Sequence, residues 1–232
     1  MLSGEYINSA HYYTLLTHVI AGVLCLISGF IAIFSNPKGG KLHKKSGLIY
    51  FWCMVIIFVT SLISITFFNF QFFLFMISIF SFFLSFTGYR ALKRKKPMDV
   101  KWYDKLVAYL GFVTGILLIG YGVLRVVQSG VYGFASICFV FGFLLSANAY
   151  KDIIHFRKTE YEKLWWWFHH LNMMMASFIA AFTAFLVNNI YKIVDLGSWN
   201  FIFWLLPTIL LFPFIRKWDS YYKKKFGLEE KE

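Results

Sequence analysis

Long apolar runs separated by short polar connections set the pattern of this chain. Seven runs are long and apolar enough to be read as membrane-crossing helices, over about 12–34, 47–67, 70–92, 103–127, 130–150, 164–190 and 199–217. Their apolar residues are continuous rather than alternating, which excludes the strand pattern of a closed membrane barrel. The predicted fold is therefore all-α, an integral seven-helix bundle forming one transmembrane domain. Residues 218–232 follow it as a basic tail. Pro207 and Pro213 predict a bend in the last run, which membrane helices tolerate.

The connections alternate in charge. NPKGGKLHKKSG, KRKKPMDVK, KDIIHFRKTEYEK and the tail RKWDSYYKKKFGLEEKE hold nearly all the Lys and Arg. Of the 23 basic residues, only Arg125 and Lys192 fall toward the other set of connections. Basic connections stay in the cytoplasm, so the N-terminus is expected outside and the C-terminus inside, in a bacterial inner membrane. The first residues carry no basic region ahead of the apolar run, so no cleavable signal peptide is expected.

Composition agrees. The 232 residues are 59% hydrophobic, 22% aromatic and only 15% charged, with a mean hydropathy of +0.63. Soluble globular chains are about 25% charged, so a soluble enzyme, a disordered chain and a secreted disulfide scaffold are all excluded. The net charge of +12 could suggest nucleic acid. Each basic cluster hugs a helix end, however, so the expected partners are the lipid bilayer and its anionic head groups. Cys25, Cys53 and Cys138 lie singly in apolar runs and read as small hydrophobes.

Membrane helices associate through small residues and turn bulky ones to lipid. In the first helix, Thr14, His18, Gly22, Cys25, Gly29 and Ala32 share a face, opposite Val23, Ile27, Phe30 and Phe34. The fourth repeats the device with Asp104, Ala108, Gly111, Gly115, Gly122 and Arg125. The sixth groups His169, Asn172, Met173, Ala176, Ala180 and Thr183, with His170 and Ser177 beside them. Phe178, Phe182 and Phe185 are expected on its lipid side. An internal echo is also visible: FSFFLSFTGYR from Phe80 and FGFLLSANAYK from Phe141 agree at five positions at a spacing of 61 residues. It reads either as repeated hairpins or as a shared packing need.

Inward ionisable groups at membrane depth are functional candidates. His43, His155, His169, His170 and Asp104 all fall near the cytoplasmic ends of their helices. His18 lies about 24 Å from the inner end of its helix at 1.5 Å per residue, too deep to share an iron with His169. His11 is expected in an N-terminal tail.

Three functions are compatible. A b-type haem for electron transfer could be held by His43 and the inward histidine of the sixth helix, in the space left by the small-residue stripes; its redox partner is unspecified. A zinc centre for hydrolysis could draw on His43, His155, His169 and Asp104. Adjacent His169 and His170 diverge by about 100° on a helix, so they do not serve one ion together. A transporter, channel or structural protein could use a polar path through His18, Arg125 and Asn188.

The segments THVIAGVLCLISGF, HKKSGLIYFW, TGYRAL, WWWFHHLNMMMASFIAAFTAFLVNN and WLLPT together resemble a bacterial family of polytopic membrane proteins of unknown function. That family has some likeness to b-type cytochromes in its membrane histidines. The resemblance spans nearly the whole chain and supports the seven-helix fold, and its matching positions His18, His43, His169 and His170 are the same histidines that the helix faces select as cofactor-binding candidates. It implies no activity.

Overall fold

The computed structural model describes residues 4–69 and 71–228. Seven long helices follow one another: α1 Gly4–Phe34, α2 Lys41–Phe67, α3 Phe72–Ala91, α4 Trp102–Ser129, α5 Tyr132–His155, α6 Trp165–Ile190 and α7 Ile202–Lys225. Six of them, α1 to α6, are long and apolar enough to cross a membrane. The seventh is not among these. Its apolar part, from Ile202, ends at Arg216 after roughly 20 Å at 1.5 Å per residue, short of a hydrocarbon core about 30 Å thick.

α7 nevertheless runs the height of the bundle. At its start, Trp204 meets Phe73 and Phe141 at 5.3 and 6.3 Å between ring centroids. At its finish, Phe226 meets Trp167 at 5.2 Å. The structure is thus an all-helical bundle of the kind a multi-pass membrane protein forms.

α3 and α6 pair at its centre. The α1–α2 hairpin flanks them on one side, α4–α5 on the other, and α7 lies along α6. The main apolar core gathers Phe80, Phe83, Leu84, Leu118, Phe141 and Leu145. A smaller one holds Cys25, Tyr50, Cys53 and Met54, with the Tyr50 hydroxyl 2.7 Å from Ser177 Oγ.

Helix ends shifted most against expectation. α1 begins at Gly4, so the expected tail around His11 is helical, and His11 stacks on Phe68 at 4.6 Å. α2 begins at Lys41, which puts His43 inside its first turn.

The small-residue faces lie as their spacing implies. Cys25, Ser28 and Gly29 are buried in α1, while Phe30 is 57% exposed. In α4, Asp104, Ala108, Gly111, Gly115 and Gly122 are all buried. Phe178 is the exception. A Cβ built on Gly29 would stand 2.7 Å from its ring, so Phe178 fills the α1 notch instead of facing lipid, while Phe182 and Phe185 stay exposed. The sequence echo also has a packing meaning. Phe80 and Phe141, Leu84 and Leu145, and Ser85 and Ser146 are buried in both copies, and the two phenyl rings meet edge to face at 5.2 Å.

Candidate functional site

The connections 35–40, 92–101 and 156–164 gather at one end of the bundle, called here the basic end. Lys95 lies over Trp166 at 4.5 Å and Lys38 over Trp218 at 5.3 Å. The Lys38 ammonium also donates to the Ile33 carbonyl, and burial lowers its pKa below the ordinary lysine value.

Charged side chains form a buried chain at this end. Asp104 opens α4 and accepts the backbone N–H of Lys101 at 2.9 Å. It takes a two-point hydrogen bond from Arg90, at 2.8 Å from Nε and 2.7 Å from a terminal nitrogen. Such forked pairs are the strongest of the charge-assisted bonds. Arg94, 1% exposed, stands between two carboxylates, 3.9 Å from Asp104 and 3.8 Å from Asp152. Its other contacts are the Thr87 carbonyl at 3.3 Å and the face of Phe156 at 5.1 Å. Asp152 on α5 lies 3.2 Å from His169 Nε2 on α6. That approach is close but misaligned, because neither atom completes a hydrogen bond.

The histidines continue the line as a stack. His169 lies over Trp165 at 4.6 Å, Trp165 over His155 at 3.6 Å, and His155 under Tyr161 at 3.9 Å. The Tyr161 phenol, outside the spans, is pushed above the ordinary tyrosine value mainly by burial.

A cleft of about 850 Å³ opens beside this stack, between α5, α6 and α7. Asp152, His155 and His169 line its basic end, while Phe80, Phe141 and Ile179 line its depth. Both carboxylate oxygens of Asp152 and the Nε2 atoms of His155 and His169 are buried without a hydrogen-bond partner. Leaving such atoms unsatisfied costs about 1–3 kcal/mol each, so their convergence on one cavity marks it as a place for a polar guest.

The other sequence candidates fall elsewhere. His170 turns away from His169 and donates Nδ1–H to the Gly88 carbonyl at 2.9 Å. His43 donates Nδ1–H to the Ala32 carbonyl at 3.0 Å. A carbonyl can only accept, so Nδ1 carries the proton in both rings. Their centroids stand 6.3 Å apart. Of the small-residue notches near them, a Cβ on Gly29 would meet Phe178 and Tyr50 within 2.8 Å, and one on Gly88 would meet Met174 at 2.9 Å.

Nor do the four candidate zinc residues gather. Asp104 belongs to Arg90, His169 to Asp152, His155 to the aromatic stack and His43 to His170. Among the described residues no three His, Cys, Asp or Glu side chains stand at metal-holding distance.

The expected polar path is likewise dispersed. His18 Nδ1 is 2.9 Å from Thr60 Oγ1. Arg125 keeps an unpartnered buried Nε. Asn188 is exposed and donates to Ala184 of its own helix at 2.7 Å.

Sequence reasoning missed Arg94, Asp152 and Trp165. Arg94 sits in KRKK, which reads as a topology anchor, and Asp152 in a loop-like charged stretch. Their one signal was an acid, Asp152, one helical turn before His155.

No family model, no curated protein and no solved structure matches this chain.

Proposed function

We propose that the chain is a multi-pass membrane carrier that takes a polar ligand into the cleft between α5, α6 and α7 and exchanges a proton with it through Asp152 and His169. In this reading α7 completes seven spans, the N-terminus is outside, and the basic end of the cleft lies on the cytoplasmic side of a bacterial inner membrane, as the placement of Lys and Arg supports. The observation that carries it is the convergence of Asp152, His155 and His169, the first two buried and the third half-buried, each with a polar atom that completes no aligned hydrogen bond, on one cavity with apolar walls. Ionisable groups at such depth mark ligand and proton paths. Arg94 holds Asp152 from behind, and a small turn of the His169 ring would align it with the carboxylate.

The test is proton flux into vesicles loaded with a pH-sensitive dye, with purified protein reconstituted in the bilayer. The wild type should carry protons at least tenfold faster than protein-free vesicles, and Asp152→Asn should lose most of that flux while staying monodisperse. Wild-type flux equal to that of empty vesicles would end the carrier reading.

The facing imidazoles of His43 and His170 favour a second reading, a b-type haem on these two residues. Tethering Nδ1 to a carbonyl orients the remaining ring nitrogen toward a metal. With metal–nitrogen bonds of about 2 Å, two rings on one iron sit roughly 6 Å apart between centroids. The macrocycle itself does not fit the closed packing at Gly29 and Gly88 unless Phe178 and Met174 swing aside. A reduced-minus-oxidised absorption spectrum decides: sharp bands lost in His170→Ala support the haem, and a flat spectrum from haem-supplied cells removes it.

A further inference from the structure

The guest of the cleft can be narrowed by its walls, on the reading that the cleft is the ligand site. We infer that it receives a membrane amphiphile with an anionic head, the head lying at the basic end and the acyl part along the apolar depth. Polarity is graded along the cavity. Asp152, His155 and Lys151 lie at the basic end, and Phe80, Phe141 and Leu144 lie deeper.

Charge at the mouth is not balanced. Lys158 is paired with Glu162 at 2.9 Å, and Lys223 with Asp219 at 2.9 Å. Asp219 also accepts from Asn172 at 3.2 Å. That leaves Lys151 and Arg216 facing the cleft with no carboxylate partner among the described residues. The Arg216 guanidinium lies over the Phe212 ring at 5.2 Å. Beside them, the unpartnered Nε2 of His155, a residue 5% exposed, offers a ring nitrogen to a head-group oxygen. Asp152 meets such a head when it holds the exchanged proton and can donate to a head-group oxygen, and when it is ionised Arg94 faces its charge at 3.8 Å.

The route in is lateral. α5 meets α7 only narrowly, and α6 packs mainly on α3 and α7, touching α5 at the basic end through Trp165 on His155 and His169 beside Asp152. The seam between α5 and α7 therefore opens to the bilayer, where a small water-borne anion would have no use for an apolar extension. A carboxylate or phosphate head fits equally; the apolar part is what separates a lipid from free phosphate.

The full chain purified in detergent should be titrated with dioleoyl phosphatidic acid, dioleoyl phosphatidylcholine and inorganic phosphate, with bound copies counted by native mass spectrometry. One phosphatidic acid should be retained at least tenfold better than phosphatidylcholine. The double variant Lys151→Gln/Arg216→Gln should lose that preference about tenfold. Leu144→Trp, which narrows the apolar depth, should lower retention of the lipid without altering that of phosphate.

Equal retention of both lipids overturns the anionic head. Full competition by inorganic phosphate at the lipid's own concentration overturns the amphiphile. Unchanged retention in both variants overturns the location. Proton flux is read without any of these probes, so flux that persists while lipid selectivity is absent faults the ligand class and leaves the carrier reading standing.

Discussion

Asp104 and Glu162 are both carboxylates in ion pairs, yet their surroundings assign them opposite weights. Asp104 is buried, ends the backbone N–H of Lys101, and receives both prongs of Arg90. Removing it strands the half-buried Arg90 guanidinium, the buried Arg94 beside it and a helix-start donor together. Asp104→Ala is expected to cost about 3–5 kcal/mol, the usual loss when one partner of a buried pair is deleted. Glu162 reaches an exposed Lys158, whose charge holds its carboxyl below the ordinary glutamate value. Exposed pairs contribute about 0–1 kcal/mol, so Lys158→Ala should leave stability nearly unchanged. Thermal unfolding of the two variants in the same detergent checks the contrast, and a similar loss in both would mean that burial does not set the weight of these pairs. Arg94 shows why the site was only half legible in the sequence. Four consecutive basic residues at a helix end look alike as letters, and only the return of the α5–α6 connection, laying Phe156 over the Arg94 guanidinium at 5.1 Å, distinguishes the one that is buried.

At the scale of helices, small residues fix how closely two axes approach. Gly115 on α4 faces Gly142 and Ser146 on α5: a Cβ there would overlap Ser146 Oγ and stand 2.7 Å from the Gly142 carbonyl. Neither backbone can yield without parting the helices. Gly115→Ala should therefore lower stability by about 1–3 kcal/mol, the range for overpacking a close contact. Gly120, one and a half turns further along the same helix, has nothing within 4 Å of an added Cβ, and Gly120→Ala should show no loss. Melting temperatures of both variants test this, and equal behaviour would mean that α4 and α5 are not held by this contact. The α4 stripe was readable because spacing alone places Gly111, Gly115 and Gly122 on one side. Phe178 was not readable in that way. Its helical position places it opposite His169, but the notch at Gly29 that accepts its ring belongs to another helix, and no periodicity within α6 reports it.

At the scale of the molecule, α7 decides how the chain sits. Its apolar part is too short to qualify as a span by itself, yet Pro207 is buried, Trp204 lies against Phe73 of α3 and Phe141 of α5, and its charged half returns to the basic end. There Trp218 lies under Lys38, Asp219 accepts from Asn172 and Phe226 packs on Trp167. Those contacts place the last turn of α7 beside the connections 35–40, 92–101 and 156–164. The same end carries most of the positive charge, which resists transfer across the membrane. A membrane-impermeant thiol reagent applied to intact cells should thus spare single cysteines introduced at Lys96, Glu160 and Lys224 and label those at Ser129 and Asp195, in a background with Cys25, Cys53 and Cys138 replaced by alanine. Labelling at Lys224 with protection at Lys96 and Glu160 would mean that α7 leaves the basic end in the membrane. The third wall of the cleft would then be lost, and with it Arg216, the unpaired cation beside the Lys223–Asp219 pair that gives the cavity its charged mouth.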